Sequence, residues 1–307
     1  MNKKQIKIIS TNISKEKGIV KKPEGLITLN SHGVKGDAHS GSWHRQVSML
    51  GIESFKKFSK EAGREIDFGE FAENITTEGM ELFKTSPLDR FSNGEIELEV
   101  TQIGKKCHGS SCAIFNEVGN CVMPKEGIFA RVIKGGSLQA GDILEYHPKI
   151  FKTLIVTLSD RVSKGEYTDR SGPQVKDALE TLSAFSNLKL DIKNIASPDS
   201  EEELNQIIEN AQDYDFIFTT GGTGIGPRDI TVDVIKPTLD KEIPGIMEMI
   251  RMKYGMEKPN ALISRSIAGL IGNTMIFVLP GSVKAVNEYM SEITKVLKHL
   301  VLMLYSI

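Results

Sequence analysis

A glycine-rich stretch in the second half of the chain carries the residues that most directly suggest chemistry. Residues 215–229 read DFIFTTGGTGIGPRD, so a short apolar run ends at Gly221, and a charged pair, Arg228 and Asp229, follows. Glycines take positive φ and let main-chain N–H groups approach a ligand without an intervening Cβ, as at phosphate sites in open α/β sheets. The same residues are also consistent with a tight turn and a solvated ion pair, because short glycine motifs recur by chance.

Other polar residues follow apolar runs in the same half. Ser159 and Asp160 follow one run, Asp169 comes shortly after them, and Asp199 follows another run. The carboxyl ends of parallel strands meet at one edge of a sheet, so these loops and the glycine loop are expected to converge. Hydroxyls and glycine turns suit phosphate oxygens, whereas carboxylates repel them unless a divalent cation intervenes. The pattern predicts Mg-nucleotide chemistry, although an isolated aspartate is also typical of a cap or a turn.

The cysteines are the candidate soft ligands, and all of them lie in the first half. Cys107, Cys112 and Cys121 are an odd number within fifteen residues, which argues against a disulfide framework. Cys107 follows two lysines and precedes His108, and nearby cations lower a thiol pKa and favour a soft, metal-binding thiolate. A structural zinc site and simple burial of the thiols are alternatives, although the spacing of the cysteines offers no Cys-x-x-Cys pair.

The elements that must position these residues differ between the two halves. From residue 152 onward, apolar runs alternate with helical patterns, which predicts a three-layer, Rossmann-like α/β domain with a mainly parallel sheet. Its predicted strands are 153–158, 188–195, 215–220 and 274–279, with helices from about 173 and 200 and a long helix after Ser282. The long helix is expected to cover the core with apolar residues spaced near 3.6. These are Val286, Tyr289, Met290, Ile293, Val296, Leu297, Leu300 and Leu304.

The first half is rich in short, turn-bounded strands. They are predicted at 6–9, 25–29, 46–50, 95–103 and 143–146, with one clear helix at about 51–63. In the fourth strand Ile96, Leu98 and Val100 alternate with glutamates, as expected for a strand with one face on a core. Short strands of this kind are expected to close into a small barrel of antiparallel strands. The change of pattern near 146–151 predicts a mostly-β domain at 1–149 and an α/β domain at 150–307.

Composition limits the class of protein. A chain of 307 residues suits two domains, and 39% apolar residues with 25% charged residues are typical of a soluble protein. A net charge of -2 gives no reason to expect a nucleic acid or a membrane as the main partner. No long apolar run and no secretory signal are present, so we expect a cytoplasmic location.

Residues 152–304 resemble the molybdopterin adenylyltransferases of molybdenum-cofactor biosynthesis. The resemblance rests on eight ordered segments: TLSDR (157–161), DRSGP (169–173), SPD (197–199), TTGGTG (219–224), PRDIT (227–231), EIPG (242–245), LISRS (262–266) and LPG (279–281). It implies Mg²⁺-dependent transfer of AMP from ATP to the terminal phosphate of molybdopterin, with release of pyrophosphate. It also implies that Asp199 and Asp229 are catalytic and hold magnesium. The expected nucleotide- or pterin-binding residues are Ser159, Asp160, Asp169, Gly221, Gly222, Thr223, Gly224, Arg228 and Ser264.

Residues 4–147 resemble the MOSC domain, named after the C-terminal domain of molybdenum-cofactor sulfurase. The matching segments are GVKGDAH (33–39), HRQVS (44–48), FAENIT (71–76), GKKC (104–107) and MPKEGIFARV (123–132). The resemblance implies a barrel-like fold that binds the molybdenum cofactor or handles its sulfur, with Cys107 as the molybdenum ligand. His39, Arg45 and Asn74 are further candidate cofactor-binding residues.

Two functions from different classes are therefore open. The first is a fused biosynthetic enzyme that adenylylates molybdopterin and binds the molybdenum cofactor in its first domain. The second is a non-catalytic carrier or storage protein for finished cofactor, since a fold supports binding without chemistry. Asp199 and Asp229 favour the enzyme, because a carrier has less need of metal-binding carboxylates. The resemblance further implies a homo-oligomer, a trimer, and contacts with other cofactor-biosynthesis proteins.

Overall fold

The chain folds into two compact units in a computed structural model that describes residues 4–106 and 121–307. The first unit comprises Met1–Lys149 with Ser306–Ile307, and the second comprises Ile150–Tyr305. Across the described residues, no helix has the length and apolar character needed to cross a membrane.

The first unit is built mainly from short strands. They are β1 (Gln5–Ile13), β2 (Lys22–Glu24), β3 (Leu26–Asn30), β4 (Gly33–Val34), β5 (Val47–Gly51), β6 (Ile75–Glu78), β7 (Arg90–Ser92), β8 (Glu97–Ile103), β9 (Ile128–Lys134), β10 (Gly136–Gln139) and β11 (Ile143–His147). The described helical segments of this unit are α1 (Ile52–Ala62), α2 (Met123–Glu126) and a 3₁₀ turn at Leu82–Lys84.

Seven of these strands close into a barrel. The order is β11-β7-β8-β9-β5-β6-β1, and β11 pairs back with β1. Strands β10, β3 and β4 form a separate small sheet. The predicted barrel is confirmed with one exception to antiparallel pairing, since β5 and β6 run parallel. A parallel pair needs a crossover connection, and the segment containing α1 supplies it.

The barrel core follows the period-two pattern of its strands. Ile96, Leu98 and Val100 are fully buried, as the alternation in the sequence predicts. Glu99 is also buried, because Arg90 and Arg131 pair with its carboxylate at 2.8 and 2.7 Å. The outward side of β8 is therefore covered by an ion-pair cluster rather than exposed to water.

The second unit alternates strands and helices. Its strands are β12 (Ile150–Leu158), β13 (Lys189–Ser197), β14 (Phe216–Thr220), β15 (Lys241–Glu242), β16 (Ala268–Ile271) and β17 (Thr274–Leu279). Its helices are α3 (Asp160–Ser163), α4 (Ser171–Ser186), α5 (Glu201–Glu209), α6 (Thr231–Ile235), α7 (Pro244–Gly255) and α8 (Val283–Leu304). Further 3₁₀ turns lie at Ala211–Asp213, Lys236–Thr238 and Pro259–Ile263.

The sheet of the second unit has the order β13-β12-β14-β17-β16-β15. The first four strands are parallel, which confirms the predicted mainly parallel sheet, and β16 and β15 add an antiparallel edge. All residues of β14 and β17 are buried, as expected for central strands covered on both faces. Leu158 is level with Ser197, and Thr157 with Thr220, so the loops after β12, β13 and β14 begin at one edge of the sheet.

Helix starts in this unit follow their capping residues. Ser282 Oγ accepts a hydrogen bond from the Ala285 amide at 3.3 Å and caps α8, as its position in the sequence predicts. Helix α4 begins two residues before the predicted start at Pro173, because the Asp169 carboxylate accepts bonds from the first helical amides.

The buried face of α8 differs in detail from the predicted one. Val286, Tyr289, Met290, Ile293, Leu297 and Val301 are its buried uncharged residues. Val296 was expected in the core and is 37% exposed, because Val301 and Leu297 define a stripe that passes beside it. Leu300 and Leu304 are half-buried at the margin of this stripe.

Candidate functional site

A cavity of about 570 Å³ opens at the edge of the second unit where β12, β13 and β14 end. We call it the carboxylate cavity. Its wall includes six of the residues expected from the sequence: Ser159, Asp160, Asp199, Gly222, Arg228 and Asp229. The three loops that carry them follow three adjacent parallel strands, so the predicted convergence is observed.

Asp160 and Asp199 are joined by reciprocal hydrogen bonds. The Asp160 amide donates to Asp199 Oδ2 at 3.4 Å, and the Asp199 amide donates to Asp160 Oδ1 at 3.2 Å. Burial raises the pKa of Asp199, and the negative charges of Asp160 and Asp229 raise it further, against the Asp160 amide and Arg228, which lower it. A cation at this point would relieve the crowding of carboxylates.

The glycine loop after β14 requires glycine at its first two positions. Gly221 has φ +104° and Gly222 has φ +63°, both in the left-handed region. A Cβ on Gly221 would lie 2.5 Å from the Leu158 carbonyl oxygen, and one on Gly222 would lie 2.1 Å from Thr231 Oγ1. The main chain therefore approaches β12 and α6 more closely than any other residue type permits.

Asp229 lies against the same loop. Its Oδ2 accepts a hydrogen bond from the Gly226 amide at 2.8 Å. A Cβ on Gly224 would lie 2.6 Å from that same oxygen, so Gly224 is needed for space rather than for a positive φ. The carboxylate is thus held at the cavity wall by the loop that precedes it in the sequence.

Arg265 fastens the glycine loop and was missed as a site residue. Its Nε donates to the Gly224 carbonyl at 2.7 Å, and its Nη2 donates to the Asp229 carbonyl at 2.5 Å. Its guanidinium also pairs with the Asp233 carboxylate at 2.6 and 3.0 Å. One side chain therefore ties both ends of the segment 224–229. The residue lies in the segment 262–266, but nothing in that segment indicates a contact about forty positions away.

The predicted residues Thr223 and Ser264 contact each other rather than the carboxylate cavity. Ser264 Oγ donates to Thr223 Oγ1 at 3.4 Å and lies 2.9 Å from Ser266 Oγ. The Arg265 amide donates to the Thr223 carbonyl at 2.9 Å. These contacts of Thr223 therefore link the glycine loop to the segment 262–266.

A second cavity, of about 410 Å³, lies beside the first. We call it the tyrosine cavity, since Tyr167 lines it together with Asp169, Arg170 and Ser282. Asp169 Oδ1 accepts from the amides of Ser171 and Gly172, both at 3.0 Å, and Oδ2 accepts from Thr157 at 2.9 Å. The Asp169 carboxylate is thus engaged in capping α4 at the cavity wall.

In the first unit, a cavity of about 160 Å³ brings together three residues expected from the sequence, His39, Arg45 and Asn74. We call it the basic cavity, because Lys105 also lines it. Arg45 lies 4.8 Å from the centre of the Trp43 ring, another lining residue. Lys105 was missed as a binding residue, although it belongs to the segment GKKC.

Buried charges connect to the basic cavity through Asn74. Asn74 Nδ2 donates to Asp37 Oδ2 at 3.1 Å, and the buried Lys21 pairs with the same oxygen at 2.5 Å. Burial disfavours the ionised form of Asp37, but hydrogen bonds from His39 and Lys21 outweigh it and hold the pKa of Asp37 below its usual range. Lys21 and Asp37 therefore form an internal ion pair that positions Asn74.

Glu73 is a fully buried acid of the first unit. Its Oε1 accepts from the Gly69 amide at 2.5 Å and from Thr76 at 2.9 Å, while Oε2 is buried without a hydrogen-bond partner. Burial raises the pKa of Glu73 to about 7, although these hydrogen bonds and Lys21 lower it. The side chain therefore changes protonation near neutral pH, next to the Asn74 that lines the basic cavity.

The predicted metal ligands are only partly within the described residues. Cys107, the expected molybdenum ligand, lies outside them, as do His108 and Cys112 of the alternative zinc site. Cys121 is half-buried and packs against the small core around Phe55. Within residues 4–106 and 121–307, no group of three or more His, Cys, Asp or Glu side chains is placed to hold a metal ion. Magnesium on nucleotides needs only one or two carboxylates, because phosphates and water complete its shell.

Comparison with known proteins finds two family models that match separate parts of the chain. Residues 36–145 match the family model of the MOSC domain, and residues 154–299 match that of the probable molybdopterin binding domain. The molybdopterin adenylyltransferase of Pyrococcus furiosus is 38% identical over 162 residues, which are 50% of this chain and 92% of that protein. The molybdenum cofactor biosynthesis bifunctional protein of Chlorobaculum tepidum is 33% identical over 159 residues, 50% of this chain and 48% of that protein.

Gephyrin of Dictyostelium discoideum is 37% identical over 153 residues, which cover 47% of this chain and 21% of that protein. The chain thus spans about half of the Chlorobaculum protein and about a fifth of this gephyrin. A crystal structure of the tungsten cofactor synthesizing protein MoaB from Pyrococcus furiosus aligns with 50% of this chain and 96% of its own, at 35% identity and a TM-score of 0.45. The chain joins a MOSC domain to a second domain, through which it belongs to the molybdopterin-binding family of molybdenum-cofactor biosynthesis proteins.

Proposed function

We propose that the second unit transfers AMP from Mg-ATP to the terminal phosphate of molybdopterin, and that the first unit binds the molybdenum cofactor. The observation that carries the first part is the convergence of the glycine loop with Asp160, Asp199 and Asp229 on one cavity. The name of the Pyrococcus relative, a molybdopterin adenylyltransferase, supports the same activity.

The reaction explains why such a site needs few proton-transfer groups. A phosphate oxygen of the pterin attacks the α-phosphorus of ATP and pyrophosphate leaves, so the main obstacle is repulsion between two anions. Asp199 and Asp229 are the carboxylates that would hold Mg²⁺, which when bound supplies positive charge between the substrates. The chain itself orients the phosphates with glycine-loop amides, Ser159 and Arg228.

Incubation of the full chain with molybdopterin, ATP and magnesium tests this activity. We expect an adenylylated pterin on chromatography, together with an equal amount of pyrophosphate, and no product when magnesium is omitted. Tight binding of molybdopterin or finished cofactor without product would instead support the non-catalytic carrier.

The proposed role of the first unit rests on the cationic wall of the basic cavity. His39, Arg45 and Lys105 suit the phosphate of a pterin cofactor, while Cys107 in the segment GKKC would supply the thiolate for molybdenum. In the full chain, Cys107→Ser should lose bound molybdenum, whereas the matched Cys121→Ser should retain it. Equal metal contents in both variants would exclude Cys107 as the ligand.

The proposal also includes a cytoplasmic homotrimer that contacts other cofactor-biosynthesis proteins. An exposed apolar face on α7 and the turn after it supports self-association, since Met252, Met256 and Leu262 are 69%, 89% and 56% exposed. Sedimentation equilibrium of the full chain should give three times the monomer mass, and Met252→Lys should lower that mass.

A further inference from the structure

The carboxylate cavity and the tyrosine cavity share part of their walls. Leu158, Ser159 and Arg161 line both of them, and all three lie at or just after the carboxyl end of β12. We propose that Arg161 is a catalytic residue, whose guanidinium stabilises the negative charge that develops on the reacting phosphates where the two cavities meet. This inference rests on the proposed adenylyl transfer and adds a residue and a substrate arrangement to it.

The need for two cavities follows from the reaction. Adenylyl transfer joins two large molecules through their phosphates, so each needs its own binding space and the phosphates must meet between them. The aspartates and the glycine loop suit Mg-ATP in the carboxylate cavity, which leaves the tyrosine cavity for the pterin. The reacting α-phosphorus then lies along the shared wall.

Only one of the three shared residues brings a charge to that wall. Leu158 is apolar, and the Ser159 hydroxyl accepts the Val162 amide at 3.4 Å as the cap of α3. Arg161 is the cation, and its planar fork of N–H donors matches phosphate oxygens better than an ammonium group does. By contrast, Arg228 lines only the carboxylate cavity and Arg170 only the tyrosine cavity.

The surrounding loop holds Arg161 in place. Its guanidinium carbon lies 5.2 Å from the centre of the Tyr167 ring, within the range of a cation–π contact. Its own carbonyl accepts from the amides of Glu166 and Tyr167 at 2.9 and 3.1 Å, which keeps Tyr167 beside it. The guanidinium is therefore oriented before substrates bind, so the Arg161 side chain loses less conformational entropy when they do.

The transfer needs no reactant besides the pterin phosphate and ATP. An oxygen of the pterin phosphate forms a bond to the α-phosphorus of ATP, and the bond from that phosphorus to the oxygen bridging to the β-phosphate breaks. That oxygen leaves with the electron pair as part of pyrophosphate, and no proton or oxidant takes part at the reacting atoms. Negative charge spreads over the oxygens around the α-phosphorus, where a fixed guanidinium stabilises it most.

Kinetics of the full chain test the assignment. Arg161→Ala should lower kcat by about 100- to 1,000-fold, while the separately measured dissociation constants of ATP and molybdopterin change by less than about 3-fold. Arg161→Lys keeps the positive charge without the planar fork of donors, so its kcat should lie between those of the wild type and Arg161→Ala. The matched variants Arg228→Ala and Arg170→Ala should each weaken mainly one substrate, ATP and the pterin respectively. A kcat of Arg161→Ala within about 3-fold of the wild type would overturn the proposal.

An equilibrium measurement separates this proposal from the proposed function. Adenylylated molybdopterin carries its diphosphate bridge between its two halves, so Arg161→Ala should bind it at least about 10-fold more weakly than the wild type. A wild type that binds this molecule but does not form it would refute the enzyme and leave the placement of Arg161 standing. Equal affinities in wild type and variant would overturn the placement even if the enzyme is active.

Discussion

The two candidate sites differ in the sign of their charge and in what holds them. The carboxylate cavity is lined by three aspartates against two arginines, Arg161 and Arg228, so a bound cation would favour the entry of an anionic substrate. The basic cavity carries His39, Arg45 and Lys105 and suits an anion directly. Under the proposed function, phosphate groups would therefore be bound in two opposite ways within one chain.

The supports differ as well. The carboxylate cavity is built from loops at strand ends, and a single guanidinium, that of Arg265, fastens its glycine loop. The basic cavity is backed by the buried ion pair of Lys21 and Asp37, with the buried Glu73 nearby. Loss of a site residue should therefore reduce activity in the second unit, whereas loss of a supporting charge should reduce stability in the first.

The largest expected effect is on the buried ion pair of the first unit. Asp37→Asn leaves Lys21 charged and unpaired in the interior, which should destabilise this unit by about 3–5 kcal/mol. Trp43 is the only tryptophan of the chain and lies in this unit, so its fluorescence during urea unfolding reports the change. An unchanged unfolding midpoint would show that the buried ion pair does not stabilise the first unit.

Next in size is Asp229→Asn, which should lower adenylyl transfer by at least about 100-fold. The loop should stay intact, because the amide oxygen of asparagine can still accept the Gly226 amide. Asp199→Asn should act in the same way but less severely. The rate of pyrophosphate release at saturating magnesium, measured beside the melting temperature, checks both; wild-type turnover would remove the carboxylates from the mechanism.

Arg265→Ala should reduce turnover by roughly 10- to 100-fold, because the segment 224–229 loses the group that ties its ends. Hydrogen exchange of the amides in this segment should speed up, and added guanidinium ion should restore part of the activity. The control is Arg251→Ala, which removes hydrogen bonds to the carbonyls of Ser264 and Ser266 but none to the glycine loop. Unchanged hydrogen exchange in Arg265→Ala would show that the glycine loop keeps its conformation without Arg265.

Glu73 should give the first unit a pH-dependent stability. Its folded pKa of about 7 lies above the ordinary 4.5, so the folded state keeps a proton that the unfolded state releases, and stability falls as pH rises through this window. The slope is at most about 1.4 kcal/mol per pH unit. Glu73→Gln should remove it.

The difference in unfolding free energy between Glu73→Gln and wild type should thus rise from pH 4.5 to about 7 and then level off. Burial and the charges of Arg45 and Arg131 lower the pKa of His44, which gives an opposite slope, but this contribution cancels in the difference. Parallel pH profiles of the two proteins would show that Glu73 ionises normally.

The smallest effect concerns Ala72, which borders Glu73 and has φ +60°. The left-handed conformation costs a non-glycine residue about 1–2 kcal/mol, and glycine loses more chain entropy on folding. Ala72→Gly should therefore stabilise the first unit by less than about 1 kcal/mol. The control Ala140→Gly, at an exposed turn without positive φ, should be destabilising in the same urea titration.

The sequence by itself determined the alternation of elements in the second unit and most of the wall of the carboxylate cavity. Asp160, Asp199 and Asp229 were found because each follows a strand-like run, and the ends of parallel strands coincide at one edge. The closed barrel followed from the number of short strands, and His39, Arg45 and Asn74 from family segments.

Only the tertiary structure decided how these residues are supported. Arg265 reaches Gly224 across 41 positions, and Asn74 reaches Asp37 across 37. The parallel pairing of β5 with β6 and the shared wall at Arg161 are likewise products of packing. Periodicity tells which face of an element a residue occupies, whereas a hydrogen bond or a shared cavity depends on distances that every packed element sets together.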